Sequence, residues 1–296
     1  MESKFACLNL ENAVRKNLGI YKSRLKFWAK KKNLSLNQML NLKYFYFDSY
    51  KKITSLSGIE DASNLTSFTL SFYSGAIFPT QQGDAQISSF KPLKKLKNLK
   101  VFQLAEHSNV DLDCLANLPL QMLSLPKCFI KDITAISNIK SLKILSLHGN
   151  QIENLEPLSN LKNLQILNLS FNNIRDVSPL NKLENLKIVH LVENPVKNWN
   201  SITSLNEPGR NTKVIKNVES SMLAQEYLVR FFSKRLYSNV SDSEFLQLTA
   251  GNAQYYRNNL SKNERAEFDS LDNLRQRFRA TYMMGGIHFL DVPSKL

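Results

Sequence analysis

The sequence has few cysteines and no long apolar run. Its three cysteines, Cys7, Cys114 and Cys128, are too few and too scattered for a disulfide framework or a zinc site. No stretch approaches the roughly 18 consecutive apolar residues that a membrane-spanning helix needs. The N-terminus lacks the charged-then-apolar order of a cleaved signal peptide. We therefore expect a reducing, cytoplasmic setting, which a bacterial protein exported without a cleaved N-terminal signal would match equally well.

Patterns of catalysis are missing as well. The sequence has no glycine-rich phosphate loop, and residues 200–296 contain no cysteine that could act as a nucleophile. No pattern singles out a serine or a threonine for that role. The sequence therefore predicts a non-enzymatic protein without catalytic residues, cofactor, metal or small-molecule substrate.

Positive charge is concentrated near the N-terminus. The formal net charge is +14, and residues 1–43 hold ten Lys or Arg against two Glu. A basic segment at residues 21–32 contributes Lys22, Arg24, Lys26, Lys30, Lys31 and Lys32. One interpretation is binding of nucleic acid or of an anionic membrane surface. The favoured interpretation is a cap helix whose aromatic side packs on the fold while its lysines face water.

The middle of the chain repeats with a period of 22 residues. Seven apolar columns keep this spacing. Three of them are Leu120, Leu142, Leu164 and Leu186; Leu123, Leu145, Leu167 and Val189; and Leu125, Leu147, Leu169 and Leu191. Each unit is too thin to bury its own apolar face, so stacked units must supply the core. The period therefore predicts a solenoid with one short parallel strand in each coil.

Seven strands are predicted, beginning near residues 44, 67, 101, 122, 144, 166 and 188. Asn150, Asn172 and Asn194 follow three of these strands at the point where the chain must turn. A buried amide there can donate to and accept from the backbone of neighbouring coils. Cys128 takes the same position one coil earlier. Pro157 favours a short extended or 3₁₀-like return arm over a long helix.

The segment from Ile152 to Leu164, Ile-x-x-Leu-x-Pro-Leu-x-x-Leu-x-Asn-Leu, resembles the 22-residue repeat of bacterial internalin-type leucine-rich-repeat proteins. The first coils at residues 53–66 and the helical segment at residues 10–15 are also similar to that family. The resemblance covers roughly residues 8–199 and implies a recognition protein with a protein partner. Since no wall-sorting motif or membrane anchor is visible, a cytoplasmic adaptor or an injected effector is the closer expectation.

Both open ends of such a solenoid need a cover. At the N-terminus, Leu10, Val14 and Leu18 share one helical face, and Ser35 with Gln38 forms a capping-box pattern. Residues 200–296 lack the repeat, and one amphipathic run there contains Met222, Leu223, Tyr227, Leu228, Phe231 and Phe232. We expect an α/β leucine-rich-repeat solenoid with a helical cap at residues 1–41, repeats at 42–199 and a helical domain at 200–296.

Side chains that alternate with the inward leucines point away from the core, on the expected concave face of the sheet. The predicted protein-binding site consists of Tyr46, Phe72, Gln103, Met122, Ser124, Ile144, Ser146, His148, Ile166, Asn168, Phe171, Ile188 and His190. His148 and His190 lie two coils apart, about 9–10 Å, which is too far to share a metal. Two alternatives stay open: flanking side chains shield the aliphatic column, or a scaffold contacts its target through residues 200–296.

Overall fold

The structure is a computed structural model that describes residues 5–20, 33–48, 53–71, 87–105, 107–206, 210 and 212–216. Two helices, α1 (Leu8–Asn17) and α2 (Leu36–Leu40), precede the first strand. The strands are β1 (Tyr44–Asp48), β2 (Ser67–Ser71), β3 (Val101–Leu104), β4 (Met122–Ser124), β5 (Ile144–Ser146), β6 (Ile166–Asn168), β7 (Ile188–His190) and β8 (Lys213–Ile215). The basic segment at 21–32, the predicted site residue Phe72 and residues 217–296 of the expected helical domain lie outside the described residues.

All eight strands form one parallel sheet in the order of the sequence. The register confirms the repeat, because Leu145 pairs with Leu123 on one side and with Leu167 on the other. The repeat pattern predicts seven strands, one fewer than the described part contains. The eighth lacks the Leu-x-x-Leu-x-Leu pattern, and only its central Val214 continues the inward column, in register with Val189.

The core lies on one side of the sheet and runs through every described coil. Its inward column consists of phenylalanine in the first three coils and of aliphatic residues in the next four. The rings of Phe45 and Phe68 are stacked with their centroids 4.7 Å apart, and those of Phe68 and Phe102 are 5.8 Å apart. Stacking at these distances adds to the gain from burial alone.

The predicted asparagine ladder is confirmed. The Asn172 side chain accepts a hydrogen bond from the backbone N–H of Ile152 at 3.0 Å and donates to the carbonyls of Leu147 and Leu169. Asn150 and Asn194 repeat this arrangement one coil before and one coil after. One amide per coil therefore satisfies buried backbone groups that no strand could reach.

His107 takes the ladder position in an earlier coil, a role that sequence reasoning missed. Its Nε2 accepts a hydrogen bond from the N–H of Ile87 at 2.8 Å, 20 residues earlier in the chain. The ladder amide Asn172 accepts from Ile152 across the same separation of 20 residues. Burial lowers the pKa of His107, which keeps Nε2 available as an acceptor. The signal in the sequence is that His107 follows Leu104 as Asn150 follows Leu147.

Short 3₁₀ segments form the return arms, as the prolines predict. They span Ile59–Asp61, Lys91–Lys95, Leu112–Cys114, Thr134–Asn138, Glu156–Leu158, Ser178–Lys182 and Trp199–Asn206. Four side chains at 22-residue intervals each accept from the backbone N–H two residues further on, and these are Asp132, Asn154, Asp176 and Asn198. Such turns start each return arm at the same place in the repeat.

The two N-terminal helices pack against the first coil. Leu10 and Val14 of α1 are buried in the core, and the capping box of Ser35 and Gln38 is present at α2. The Asn17 amide donates to the carbonyl of Tyr46 and accepts from its N–H, both at 2.9 Å, so it pairs with this one residue at the edge of β1 as a residue of a neighbouring strand would. No helix in the described ranges is long and apolar enough to cross a bilayer.

Candidate protein-binding face

Strands β4–β7 each carry one inward residue between two residues that point the other way. The inward residues are Leu123, Leu145, Leu167 and Val189, all part of the core. The residues on the opposite side form two columns of four, one aliphatic and one polar. We call this surface the outer sheet face, and it consists of Met122, Ile144, Ile166 and Ile188 together with Ser124, Ser146, Asn168 and His190.

All eight side chains of the outer sheet face are buried. Ile166 and Ile188 retain 1% of their exposure and His190 none, although none of the eight belongs to the core on the other side of the sheet. The predicted site residue His148 is buried beside them. The structure therefore differs from the expectation of an open contact surface in this part of the sheet.

The remaining predicted site residues are more accessible. Gln103 on β3 and Tyr46 on β1 are half-buried, and Phe171 retains 42% of its exposure at the rim. Outward residues are also buried on β2 and β3, where they include Thr69 and Val101. At β8 the outward Lys213 is exposed.

His190 is neutral at physiological pH. Burial lowers its pKa to about 3, and the nearby His148 and Lys213 add to the effect. The His148 ring stands edge-on to that of Phe171, with the centroids 5.1 Å apart. The described residues include no group of three or more His, Cys, Asp or Glu side chains placed to hold a metal ion. A buried neutral imidazole suits packing and hydrogen bonding more than proton transfer.

Two polar side chains of the outer sheet face have unused hydrogen-bonding capacity. The Asn168 Oδ1 atom accepts from the N–H of Ser170 at 3.0 Å, but Asn168 Nδ2 has no hydrogen-bond partner among the described residues. The same holds for the Ser146 Oγ atom. A buried polar atom without a partner costs about 1–3 kcal/mol, so these atoms are suited to a polar contact from a second layer.

The rim of this face is built by a turn with a left-handed backbone. Lys127, Gly149, Phe171 and Glu193 occupy one column at 22-residue intervals with φ between 54° and 68°. Because only glycine adopts this conformation without strain, three coils keep an unfavourable residue there. Phe129 also has a left-handed backbone and retains 47% of its exposure. Sequence reasoning missed Phe129, because it breaks no repeat column.

The three cysteine thiols have different surroundings. Against the opposing effect of burial, hydrogen bonds from the backbone lower the pKa of the Cys7 thiol. All three cysteines are buried, and no two of them form a disulfide. Burial and the hydrogen bond from Cys114 Sγ to Asp111 raise the pKa of the Cys114 thiol to about 11. That thiol is therefore protonated at neutral pH and unreactive.

The repeats in this sequence match a known family of leucine-rich repeats. The model of the family of leucine-rich repeats (2 copies) matches residues 120–160 and again 162–210. No curated protein matches the sequence at a significant level.

Two solved structures from Listeria monocytogenes have a similar fold. An internalin, InlF, is 20% identical with a TM-score of 0.51, and the alignment covers 74% of this chain and 66% of that one. Internalin C2 is 24% identical with a TM-score of 0.50, and the alignment covers 74% of this chain and 99% of that one. At these identities the likeness concerns the fold alone.

Proposed function

We propose that this chain, whose fold is similar to that of internalins, is a non-enzymatic recognition module that holds a protein partner on the outer sheet face. The aliphatic column Met122, Ile144, Ile166 and Ile188 carries this proposal. The inward leucines already form the core, so a solenoid has no internal need for a second apolar column. Apolar columns of this kind mark surfaces that contact another layer of protein.

The chemistry of the face defines the kind of partner. Between β3 and β7 the outward positions hold no Asp, Glu, Lys or Arg. They combine aliphatic side chains with the hydroxyl of Ser146, the amide of Asn168 and the neutral imidazole of His190. Such a surface fits an apolar protein segment with a few hydrogen-bonding groups. Its affinity should respond weakly to salt, unlike phosphate recognition.

Affinity capture tests the proposal. Tagged full-length protein is incubated with nuclease-treated bacterial and eukaryotic lysates, and bound proteins are identified by mass spectrometry. Three baits are compared: wild type, the double variant Ile166→Glu with His190→Glu, and the control Lys131→Glu, which changes the charge of an exposed residue outside the face. Circular dichroism checks that every bait is folded.

We expect one protein to be retained by wild type and by the control and lost with the double variant. Binding of the purified protein would then be measured at two salt concentrations. Retention by a folded double variant would place the site elsewhere. Recovery of nucleic acid alone, lost after nuclease treatment, would transfer the function to the basic segment.

A further inference from the structure

The residues just before the strands form a column along one edge of the sheet. One residue precedes each of the strands β1–β7. The backbone N–H of Lys143 donates to the carbonyl of Gln121 at 2.9 Å, and the N–H of Gln165 donates to that of Lys143 at 2.8 Å. Successive members are therefore one strand spacing apart, about 4.8 Å. The column consists of Lys43, Thr66, Lys100, Gln121, Lys143, Gln165 and Lys187.

Lysine occupies every second position of this column. The first, third, fifth and seventh coils have lysine there, and the coils between them have threonine or glutamine. Neighbouring lysines are thus about 10 Å apart, and the column from Lys43 to Lys187 spans six strand spacings, about 29 Å. Lys43, Lys100 and Lys143 are exposed, and Lys187 is half-buried. A regular row of cations therefore runs along this edge of the sheet.

Three more exposed lysines precede the column by three residues, where the return arms end. We call the strip formed by residues 40–43, 63–66, 97–100, 118–121, 140–143, 162–165 and 184–187 the basic rim. Its single acidic residue is Glu184, whose carboxylate lies 3.0 Å from Lys162 Nζ. Lys97, Lys100 and Lys140 form no ion pair with any described residue. The lysines of the basic rim are Lys43, Lys97, Lys100, Lys140, Lys143, Lys162 and Lys187.

The opposite edge of the sheet has no comparable excess of charge. The turns that follow β4–β7, at residues 126–132, 148–154, 170–176 and 192–198, contain four Lys or Arg and four Asp or Glu. In the same four coils the basic rim has four lysines and one glutamate. A composition that is merely rich in lysine would place positive charge on both edges. The asymmetry therefore indicates a surface that attracts anions.

The shape and composition of the basic rim select among anionic partners. Its lysines lie in a narrow strip, which suits a linear polyanion more than the plane of a membrane surface. Single strands of nucleic acid are held largely by stacking on aromatic rings. No aromatic residue occurs in the segments of the basic rim, and Tyr44, next to Lys43, offers a ring at one end only. Duplex nucleic acid is a linear polyanion that needs no such stacking, because its bases are already paired and stacked.

The dimensions and side chains of the basic rim also fit a duplex backbone. A length of about 29 Å corresponds to about eight base pairs, at roughly 3.4 Å per pair. Gln121, exposed between Lys100 and Lys143, is of a residue type that contacts phosphate oxygens. The flexible four-carbon stem of lysine lets each ammonium group adjust to the positions of the phosphates. The rim therefore does not need to match the phosphate spacing exactly.

We propose that the basic rim binds the phosphate backbone of duplex nucleic acid without reading its sequence. Phosphate contacts fix the position of a protein on a duplex but carry no sequence information. This surface is distinct from the outer sheet face, which is proposed to hold a protein partner. It is also distinct from the basic segment at residues 21–32, which lies outside the described residues.

A matched pair of double variants tests the proposal in the full-length protein. Lys100→Gln with Lys143→Gln removes two cations from the column, and glutamine is the native residue at this position in two other coils. The control, Lys131→Gln with Lys197→Gln, removes two exposed lysines from the opposite edge with the same change in net charge. Binding to a labelled DNA duplex of about 16 base pairs, twice the expected footprint, is measured by fluorescence anisotropy at several salt concentrations. Circular dichroism checks the fold of each variant.

We expect the logarithm of the wild-type binding constant to fall with the logarithm of the salt concentration. The slope would be about −5 if every lysine of the basic rim except the paired Lys162 contacts a phosphate. The rim variant should bind at least about tenfold more weakly at low salt, with a slope smaller in magnitude by about 2. The control should stay within about twofold of wild type.

Three results would overturn the proposal. The first is a rim variant that binds as wild type does, which includes binding through residues 21–32. The second is an equal loss in both variants, because net charge alone would then explain it. The third is a wild-type protein that does not bind the duplex, or that binds anionic phospholipid vesicles or polyglutamate more tightly.

A variant that adds a cation provides the converse test. Gln121→Lys places a lysine between Lys100 and Lys143, and Asn173→Lys adds one at an exposed position on the opposite edge. We expect Gln121→Lys to bind the duplex more tightly and to steepen the salt slope by about 0.9, one further phosphate contact. Equal gains from the two variants would contradict a localised site.

The lysine variants leave every residue of the outer sheet face in place. Capture of a protein partner should therefore persist in the rim variant, whatever the result with DNA. Conversely, a protein that binds the duplex through the basic rim but captures no partner would retain this proposal and lose the proposed function.

Discussion

The first three coils and the last four solve the same packing problem with different residues. In β1–β3 the inward column consists of stacked phenylalanines, the strands have four or five residues, and the outward positions range from the exposed Tyr44 to the buried Val101. In β4–β7 the column is aliphatic, each strand has three residues, and the outward positions are buried. A strict period thus coincides with outward positions that are all buried, whereas the irregular coils carry large side chains on both sides of the sheet.

The comparison also shows which part of a coil is fixed. His107 in the irregular region and Asn172 in the regular one accept the same hydrogen bond from a residue 20 positions earlier. The residue type at this position differs between the two regions, but a side-chain hydrogen-bond acceptor is present in both. The backbone group that must be satisfied, more than the side chain that satisfies it, therefore defines the repeat.

Removing a ring from the aromatic stack is expected to have the largest effect. Phe68→Ala should lower the free energy of unfolding by about 3–5 kcal/mol, because Phe68 lies between two other rings and its cavity cannot collapse. Leu145→Ala, at the matching position of a regular coil, should cost about 2–5 kcal/mol. Urea denaturation followed by circular dichroism measures both. A loss below 1 kcal/mol for Phe68→Ala would contradict the importance of the stack.

Acid is expected to act on the outer sheet face, through His190. The folded pKa of His190, about 3, lies below the ordinary value of 6.5, so the unfolded chain takes up the proton first as the pH falls. This contribution to stability is complete above pH 6.5 and is lost progressively towards pH 3. His190→Asn should flatten this dependence in denaturation curves between pH 7 and 4. Parallel curves for the variant and wild type would show that His190 is not held neutral by burial.

The asparagine ladder provides a test in which the residue type of the regular coils is introduced into an irregular coil. Asn172→Ala leaves the N–H of Ile152 and two carbonyls without their partner, and we expect a loss of about 1–3 kcal/mol. His107→Asn introduces the regular residue into an irregular coil and should cost less than His107→Ala, because an acceptor is retained. Chemical denaturation compares all three. Equal losses for the two His107 variants would exclude the ladder role of that side chain.

The smallest effect is expected on the surface. Lys182 contacts the Glu156 carboxylate, and each side chain is more than half exposed. Such pairs contribute little, because water and salt screen them. Lys182→Ala should leave the denaturation midpoint unchanged within error, in low salt and in high salt. A clear shift would mean that charges between return arms contribute to holding the coils together.

The fold was predictable from the sequence because its main features repeat. The leucine columns predict the sheet and its register, and the asparagines predict the ladder, since each appears several times at a fixed interval. Features that occur only once were not predicted. The strand around Val214 continues only one apolar column, and the hydrogen bond to His107 uses a residue type that does not recur in the repeat.

The candidate site was only half predictable. Alternation along a strand predicts that Ile166 and His190 point away from the core, and it places both on one surface. The spacing of the repeat does not predict that both side chains are buried, because alternation along a strand says nothing about what packs over the sheet. The basic segment and the domain boundaries stay predictions.

The ladder bonds that cross from one coil to the next join residues 20 to 25 positions apart, as in Ile152 to Asn172 and Asn172 to Leu147. Duplicating one 22-residue unit would therefore reproduce every donor next to its acceptor, and deleting one would rejoin the remaining pairs. The outer sheet face would lengthen or shorten by one strand spacing, about 4.8 Å, with a new pair of outward side chains. The area of the outer sheet face can therefore be changed one coil at a time, by evolution or by protein engineering, without a redesign of the core.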